Sequence, residues 1–516
     1  MTEQIQSVAS IDDFEANRAK TKKALPALLI VFTLGTLMIQ AFNLVFQNIG
    51  DSLGMSSSAS LISTLPGIVL GVVCMLYGTL CDFISPKRMT LFGVVALVAG
   101  SFLGFFGSFN FWVVLIARMI QVAGAQVAGS VFLVMTVKYL NDKEKAIYIG
   151  IYNAVYYLAA AIGVFAGGFI TSFDWKYLFL VPALSVFFIP LLIKNTPDIS
   201  AKGEKIDSIG ILLFAVFAAL IAIYFSFPGV GMIIASIVFA VLFVLWIWKG
   251  KNPFLGRSFV TNGAYMSILL LQFVLYFFNF ACVPIYNVIG EQIYNVPLTT
   301  VSLCLTLVYI VATIVGCVSG PVINRLGRMR TLVIAIVLMI VGFAGSAIFI
   351  KSGFGVLTFL ACLFIAGVTA VYTPIYDAAS DALPVEENGR GVGILDLMMN
   401  TSASIGVAVY SSLMASDTMG KGGLFGVDSG VEAQTSNMFW IMCAVFGVVD
   451  DCTVRISQEF LRQNACLIAP AGAEHVDQTS CPHQQHLSFR KDIMPAMDER
   501  LFLLIAFMGP CPSLAR

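Results

Sequence analysis

Two stretches of similar sequence decide the fold of this chain: GTLCDFISPKR at Gly78–Arg88 and GPVINRLGRMR at Gly320–Arg330. Each follows a long apolar segment and leads straight into another one. In each, a glycine is followed four residues later by Asp82 or Asn324, and a basic cluster closes the turn. A charged turn repeated between pairs of apolar segments is typical of a membrane transporter that is built from two duplicated halves. The sequence therefore predicts two related helical bundles in a membrane.

The composition also indicates a membrane protein. Of the 516 residues, 59% are hydrophobic and 11% are charged, and the mean hydropathy is +0.91, whereas soluble domains carry about 25% charged residues. The formal net charge is zero, which gives no indication of a nucleic-acid partner. The first 24 residues are polar and lack the apolar core of a signal peptide, so they predict a cytoplasmic tail. Most cysteines lie singly in apolar segments and predict no disulfide framework.

Apolar segments of about 20 residues, the length that crosses a bilayer, recur along the chain. The predicted spans are 25–49, 58–80, 89–108, 111–136, 146–170, 177–193, 207–226, 230–248, 262–285, 299–319, 331–350, 355–377 and 393–415, with a weaker fourteenth from Asn437. Pro228 and Gly229 form a tight-turn signal between the seventh and eighth spans. The repeated turns follow the second and tenth spans, whereas in two equal sets of six spans they would follow the second and the eighth. The seventh and eighth spans are therefore interpreted as a hairpin inserted between two sets of six.

The predicted fold class is therefore an all-α integral membrane protein of about fourteen spans. Its parts are a cytoplasmic tail at 1–24, an N-terminal six-helix bundle at 25–194, a linker with two additional transmembrane helices at 195–261, a C-terminal helix bundle at 262–449 and an atypical tail at 450–516.

The last span and the tail differ from the rest of the chain. The last span meets Asp450 after about 14 apolar residues, which is too short for a bilayer. All three histidines and four of the eleven cysteines follow residue 450, so the tail is interpreted as foreign or frame-shifted sequence. Cys481, His483 and His486 lack an evident fourth ligand, and no metal site is expected.

Basic residues mark one side of the membrane. Nineteen lie in alternate loops, namely Arg18, Lys20, Lys22, Lys23, Lys87, Arg88, Lys138, Lys143, Lys145, Lys194, Lys202, Lys205, Lys249, Lys251, Arg257, Arg325, Arg328, Arg330 and Arg390. The opposite loops contain Lys176, Lys351 and Lys421. By the positive-inside rule this asymmetry predicts a cytoplasmic N-terminus in a multi-pass protein of the cell membrane.

Two further motifs, together with the repeated turn, make the chain resemble the major facilitator superfamily, in particular its fourteen-span drug–proton antiporter branch. The fourth span contains RMIQVAG at Arg118–Gly124, and the fifth contains GVFAGG at Gly163–Gly168. The resemblance covers about residues 25–449 and implies two six-helix bundles with a central hairpin. The chain departs from the family pattern in three places. Val164 stands where proline is usual, and an apolar residue near Met38 stands where the branch usually has an acidic one. In the first repeated turn, Phe83 and Ser85 stand where arginine and glycine are usual.

The resemblance implies a gate in the repeated turns, which would close the cytoplasmic face through charged contacts that change as the halves rock. The gating residues would be Gly78, Asp82, Lys87, Arg88, Gly320, Asn324, Arg325, Gly327, Arg328 and Arg330. The alternative is that these charges are merely solvated. The fifth-span glycines Gly163, Gly167 and Gly168 are expected to permit close helix approach.

Ionisable residues inside apolar spans are candidates for coupling, because a membrane-embedded charge by default marks a pathway or a paired site. Arg118, with Gln121 one turn along its helix, lies within WVVLIARMIQVAG. Snorkelling of Arg118 to the outer surface is the alternative. Asp396 is the first candidate for a titrating carboxylate and Asp377 the second, and either could instead be an interfacial residue in contact with water.

A set of polar and aromatic residues in the spans is expected to line a substrate cavity: Gln40, Asn43, Asn153, Tyr156, Gln272, Asn279, Tyr309, Tyr376 and Asn400. Individually, each of them is more often a helix–helix hydrogen bond than a ligand contact. The sparse charge favours a small amphipathic or neutral substrate.

The leading functional hypothesis is a monomeric secondary exporter of amphipathic drugs or toxic compounds, driven by protons and partnered by the lipid bilayer. A carrier of the same fold for a metabolite, sugar or siderophore is the alternative, and a non-transporting membrane sensor is a remote one. No cofactor is expected and ATP is not expected as the energy source, since the sequence contains no GxxxxGK[ST] motif. No catalytic signature of the HExxH or GxSxG type stands out in the sequence.

Overall fold

Within the residues that the structure describes, the chain is all-α. In this computed structural model these are residues 2–447 apart from 81–83, 141, 198–206, 251–252, 384–386, 425–426 and 428. The α-helices of this part are α1 Thr2–Ser52, α2 Leu61–Leu80, α3 Pro86–Phe106, α4 Phe111–Tyr139, α5 Asp142–Thr171, α6 Leu180–Ala183, α7 Ile189–Asn195, α8 Ser208–Ser226, α9 Val230–Lys249, α10 Arg257–Thr261, α11 Gly263–Tyr276, α12 Cys282–Val288, α13 Leu298–Leu326, α14 Arg328–Ile348, α15 Phe354–Ala382, α16 Asn388–Met414 and α17 over 431–447. The predicted all-α fold class is confirmed, and the predicted tail at 450–516 lies outside the described residues.

Twelve helical segments of the described chain are long and apolar enough to cross a membrane, and they coincide with the first eight predicted spans and with the tenth to the thirteenth. The ninth predicted span is interrupted, because α11 ends at Tyr276 and the α-helix resumes only in α12. The Phe277 and Asn279 N–H groups donate to carbonyls three residues back, and Pro284 has no N–H to donate. The weaker fourteenth span corresponds to α17, whose described part ends at residue 447.

The helices pack in two sets that are joined by the α8–α9 hairpin. In the first set α1 packs against α4 and α5, α2 packs against α4, and α3 packs against α4. In the second set α15 packs against α13 and α14, and α11 packs against α15 and α16. Between the sets, α5 packs against α13, α2 against α16 and α1 against α12. The predicted domain boundaries remain predictions.

Asp207 holds the base of the α8–α9 hairpin together. Its buried carboxylate accepts hydrogen bonds of 2.9 Å from the Gly210 N–H, the Trp246 Nε1–H and the Phe254 N–H. It therefore caps α8 and ties it to α9 and to the segment that follows. The α8 helix packs against α2 and α16, whereas α9 packs chiefly against α8 and exposes apolar side chains along its other face. Such a face suits contact with lipid.

The two sets of helices meet closely at the end of the structure that carries the 53–57 turn, which we call the distal end. Here the Asn287 Nδ2–H donates to the Leu44 carbonyl at 3.2 Å, and Glu291 accepts a hydrogen bond from Asn48. Burial, the larger cause, together with nearby Asp51 raises the pKa of the Glu291 carboxyl despite that hydrogen bond.

The opposite end, which carries the turn between α13 and α14, is the proximal end. At this end Arg18 and Lys22 of α1 pair with Glu144 of α5, and Arg328 of α14 pairs with Asp377 and Asp381 of α15, so each of these ion pairs lies within one set of helices.

Candidate substrate and coupling site

The first repeated turn is described only in part. Asp82 lies outside the described residues, whereas Gly78 belongs to α2 and Lys87 and Arg88 lie in the first turn of α3. The Ser85 hydroxyl accepts a hydrogen bond of 3.4 Å from the Arg88 N–H, which caps the start of α3. The capped first turn of α3 therefore positions Lys87 and Arg88.

The second repeated turn is a sharp junction between two helices. Gly320 lies in α13, and Gly327 joins α13 to α14 with a φ of 81°, a conformation that glycine adopts without strain. Arg325 and Arg330 are exposed. Asn324 lies in α13, and its side chain lies outside the described part of the structure.

Arg328 of this turn forms ion pairs with α15. Its Nε lies 3.4 Å from Asp377 Oδ2, and its Nη1 donates to Asp381 Oδ2. The side chains of Asp377 and Asp381 are 49% and 66% exposed. Asp377, one of the two carboxylates considered for proton transfer, therefore occupies an interfacial ion pair, and such exposed pairs contribute about 0–1 kcal/mol.

Arg118 is buried inside α4, with 2% of its surface exposed. Its Nη1 donates to Gln121 Oε1, and its guanidinium carbon lies 3.9 Å from the centre of the Phe42 ring. Gln121 Nε2 donates in turn to Ser101 Oγ at 3.0 Å, and Ser101 donates to the Leu97 carbonyl at 2.8 Å. This geometry favours an internal site over snorkelling to the surface.

The Arg118 guanidinium has unused hydrogen-bonding capacity. Its buried Nε has no hydrogen-bond partner, and no carboxylate among the described residues pairs with it. An unneutralised guanidinium inside a membrane is costly, so a polar partner from outside the protein is favoured at this position.

A small cavity lies beside Arg118, between α1, α2 and α4. Its volume is about 10 Å³, roughly that of one water, and Phe280 from the second set of helices closes one side. Asn43 and Ser63 line it, and the Ser63 hydroxyl donates to Asn43 Oδ1. Asn43 Nδ2 also donates to Gln40 Oε1 at 3.4 Å. Gln40 and Asn43, both predicted cavity residues, thus belong to the polar surroundings of Arg118.

Asp396 forms a second, separate site on α16. Its carboxylate is partly exposed and accepts a hydrogen bond from the Tyr376 hydroxyl of α15. Within the described chain it forms no ion pair, and no lysine or arginine interacts with it electrostatically. Asp396 is thus a carboxylate in a candidate membrane-spanning helix, with no basic partner in the part of the chain that the structure describes.

Six tyrosines from three helices lie near Asp396 or near one another, and we call them the tyrosine cluster: Tyr152, Tyr156 and Tyr157 from α5, Tyr276 from α11, and Tyr372 and Tyr376 from α15. Besides Tyr376, four of these phenols interact electrostatically with Asp396: those of Tyr152, Tyr156, Tyr276 and Tyr372. The remaining member of the cluster, Tyr157, interacts with Tyr276 and Tyr372.

The rings of the tyrosine cluster are ordered by stacking. Tyr372 and Tyr376 stack with their centroids 4.1 Å apart, and Tyr156 and Tyr157 pack edge to face at 5.3 Å. Apart from Tyr276, which is buried, all members of the cluster are partly exposed.

The remaining predicted cavity residues lie in different surroundings. Gln272 is buried and donates from Nε2 to the Leu395 carbonyl at 3.2 Å, next to Asp396. Asn400 donates to the Asp396 carbonyl at 2.9 Å within α16. Tyr309 is buried in α13 and interacts electrostatically with Tyr156 and Tyr157, and Asn279 lies in the break between α11 and α12. Asn153 belongs to α5, and its side chain lies outside the described part.

The fifth-span glycines lie at close helix contacts. A Cβ on Gly163 would lie 2.0 Å from the Leu37 carbonyl oxygen, and one on Gly167 would lie 2.9 Å from the Ala41 Cα, both in α1. A Cβ on Gly168 would lie 2.1 Å from Ser302 Oγ, on α13 of the other set of helices. Gly168 therefore lies where the two sets meet at the distal end.

Several residues of these sites were not among the candidates from sequence. Tyr152, Tyr157, Tyr276 and Tyr372 belong to the tyrosine cluster, although only its other two members were expected to line a cavity. A signal was present, because Tyr152 and Tyr156, like Tyr372 and Tyr376, are spaced four residues apart and so share a helix face. Phe42, Ser101 and Asp381 could not be predicted from neighbouring sequence, since each belongs to a site only through its contact with a residue of another helix.

Comparison with known proteins shows what this chain is similar to. The family model described as the Major Facilitator Superfamily matches residues 28–207 and 268–450. The chain is similar to the multidrug transporter protein MdtP of Bacillus subtilis strain 168, with 20% identity over 342 residues, which cover 64% of this chain and 63% of the relative. It is also similar to multidrug resistance protein 3 of the same organism, with 23% identity over 347 residues, which cover 63% of this chain and 65% of the relative. The matched regions thus span less than two thirds of the length of these relatives.

Solved structures agree with this fold. The crystal structure of the peptide transporter POT in complex with sulfate superposes with a TM-score of 0.62 at 13% identity, covering 85% of this chain and 94% of that one. At this identity the likeness concerns the fold alone. The predicted resemblance to the superfamily and to its drug-efflux members is confirmed.

Proposed function

Because the chain belongs to the Major Facilitator Superfamily, we propose that it is a secondary active transporter that exports small amphipathic compounds in exchange for protons. The observation that carries the proposal is Asp396, a carboxylate in a membrane-spanning helix that is partly exposed and has no basic partner among the described residues. Such a group is suited to take up and release a proton during transport. The multidrug names of the two relatives support an amphipathic substrate.

Alternating access is the proposed mechanism. The halves would rock about the α5–α13, α2–α16 and α1–α12 contacts, opening the distal and proximal ends in turn. The hydrogen bonds of Asn287 and Glu291 to α1 and the close approach at Gly168 hold the distal end together in the present arrangement. If the N-terminus is cytoplasmic, this arrangement corresponds to a state that is closed toward the outside.

The proposed organisation is two six-helix bundles with the α8–α9 hairpin between them, in the cell membrane. It counts α11 together with α12 as one span and α17 as another, which gives fourteen. The crowding of basic residues in alternate loops supports a cytoplasmic N-terminus. We propose a monomer that uses neither ATP nor a cofactor.

The repeated turns are proposed as the proximal gate. Arg328, at the start of α14, pairs with two carboxylates of α15. Its partly exposed ion pairs are weak enough to break and form again during each cycle. In the first half, Asp82 is proposed to form and break ion pairs with basic residues during the same cycle.

A carrier for a metabolite is the second candidate, and Arg118 favours it. Its buried Nε without a partner is suited to bind a carboxylate or hydroxyl of a polar substrate. A purely apolar substrate has no such group to offer Arg118, so the two candidates predict different substrates.

Transport by the purified full-length chain in proteoliposomes tests the proposal. An imposed pH gradient should drive accumulation of amphipathic dyes or drugs, and dissipating the gradient with a proton ionophore should abolish it. Empty liposomes are the control for passive partition. Accumulation of sugars or organic acids without any effect on amphipathic compounds would favour the metabolite carrier, and no gradient-dependent flux of either class would refute proton-coupled transport.

A further inference from the structure

Helix α9 carries an apolar stripe along the face that it turns away from α8. Ile234, Ile237, Val241, Leu245 and Trp248 are exposed and follow one another at spacings of three or four residues, so they lie on one side of the helix. We call these five residues the α9 stripe. Because α9 is long and apolar enough to cross a membrane, this stripe is a surface for the acyl chains of lipids.

The α9 stripe ends beside two exposed basic side chains, Lys249 and Arg257, which we call the basic pair. Arg257 Nη2 donates to the Trp248 carbonyl, and its guanidinium carbon lies 5.7 Å from the centre of the Trp248 ring. Tryptophan is enriched where the hydrocarbon core of a membrane meets the headgroup layer. The basic pair therefore lies at the depth of lipid headgroups, directly beyond the end of the stripe.

Contacts of the next segment place the basic pair at the proximal end of the structure. The Asn262 Nδ2–H, just after α10, donates to the Ala382 carbonyl at 2.7 Å. Ala382 follows Asp381, which pairs with Arg328 of the proximal turn. The crowding of basic residues on this side predicts that it faces the cytoplasm, where the membrane surface carries anionic lipids.

Asp207 orders this region without neutralising the basic pair. Its buried carboxylate accepts hydrogen bonds from the Trp246 Nε1–H and the Phe254 N–H, so the segment after α9 turns back toward the helix. Arg257 uses one of its five N–H groups, and no carboxylate in the described part of the chain pairs with it or with Lys249. Two positive charges thus lie beside an apolar surface without a counter-ion from the described residues.

We propose that the basic pair and the α9 stripe bind one phospholipid with a net negative headgroup, its phosphate on the basic pair and an acyl chain along the stripe. The Arg257 guanidinium has N–H groups left to donate to two phosphate oxygens, and Lys249 adds a point charge. Inorganic phosphate would make these contacts but gain nothing from the stripe. A zwitterionic phospholipid carries a positive group of its own that the basic pair repels. Lipid binding here is independent of what the chain transports.

Trp248 is a built-in reporter for this site, because a brominated acyl chain quenches the fluorescence of a tryptophan that it contacts. The purified full-length chain is reconstituted in phosphatidylcholine vesicles with a minor share of either phosphatidylglycerol or phosphatidylcholine that carries brominated acyl chains. Subtracting the signal of Trp248→Phe, which keeps an aromatic ring, isolates Trp248 among the five tryptophans of the chain. Brominated phosphatidylglycerol is expected to quench Trp248 at a lower share than brominated phosphatidylcholine does.

Variants of the basic pair test the headgroup contact. Arg257→Gln and Lys249→Gln should each lower the preference for the anionic lipid by about fivefold, the effect of one basic residue near an anionic membrane surface, whereas Arg257→Lys should keep most of it. Lys421→Gln removes an exposed positive charge from the loop after α16 and is the matched control, which should leave the preference unchanged. Elution as a single species and an unchanged melting temperature show that each variant is folded.

Four outcomes would overturn the lipid site. The first two are equal quenching of Trp248 by the two brominated lipids and a preference that survives in both Arg257→Gln and Lys249→Gln. An equal loss of preference in Lys421→Gln would show attraction by net charge instead of a site. Relief of the quenching by inorganic phosphate at constant ionic strength would show that the basic pair holds a free anion. None of these measurements involves transport, so the proposed function stands or falls separately.

Discussion

Replacing Arg118 with alanine is expected to abolish proton-driven transport while lowering the stability of the fold by at most about 2.5 kcal/mol. The reason is that the favourable and unfavourable contributions of the guanidinium nearly cancel. The hydrogen bond from this charged group to Gln121 contributes about 1.5–3 kcal/mol, and its position over the Phe42 ring contributes about 2 kcal/mol where water is excluded. Against these stands an insertion cost of about 2.5–3.5 kcal/mol for arginine in the membrane.

The net loss of stability in Arg118→Ala should therefore be about 0–2.5 kcal/mol. The small cavity beside Arg118 would extend into the space left by truncation, where water can enter. Stability is measured by thermal or denaturant unfolding of the purified chain, and transport by uptake into proteoliposomes. Arg118→Lys keeps the charge but lacks the planar fork that both stacks on Phe42 and bonds Gln121, so it should rescue uptake only in part.

Two transport modes separate coupling from binding in this experiment. Loss of gradient-driven uptake with retained counterflow exchange would assign Arg118 to coupling, and loss of both would assign it to substrate binding. Wild-type uptake by Arg118→Ala would refute a transport role. A loss of stability well above the calculated range would show that the guanidinium is primarily a structural element, and that the cancellation is wrong.

Three further predictions concern the gate, the orientation and the contact between halves. Asp82→Asn should impair transport without reducing membrane insertion, because a carboxylate of the repeated turn is expected to exchange basic partners during rocking. An unchanged uptake rate would mean that the turn only sets the orientation of the helices and has no role in gating. A membrane-impermeant thiol reagent added outside cells should label Ser56→Cys and not Ser200→Cys, judged against the same positions in the chain with its native cysteines alone, and the reverse pattern would overturn the orientation. Gly168→Ala should weaken the distal contact, since its Cβ would lie 2.1 Å from Ser302 Oγ, and should increase labelling of cysteines placed at that end; unchanged labelling together with unchanged transport would argue against closure at Gly168.

Prediction from sequence was most successful where the property is local. The length of an apolar run and the basic residues beside it are read directly from neighbouring positions, so twelve of the spans and the all-α class could be predicted. Arg118 and Gln121 could be paired because residues three apart share a helix face, and their hydrogen bond agrees with this. Gln40 and Asn43, also three apart, likewise bond to each other.

Sequence alone was less informative where backbone geometry interrupts an apolar run. The break between α11 and α12 leaves hydropathy unchanged, because apolar residues continue through it. The two short helices form because backbone hydrogen bonds shift from four to three residues and because Pro284 lacks an N–H.

The sequence by itself determined that this chain is a helical membrane protein with a repeated charged turn, because hydrophobicity and charge act through local composition. Only the tertiary structure decided what each buried charge meets. It brought Tyr152, Tyr276 and Tyr372 from three helices to Asp396, and it placed Asp377 beside Arg328 in an exposed ion pair. These contacts join residues far apart in the chain, so they depend on how the helices pack, and packing is set by all facing side chains together rather than by any one segment.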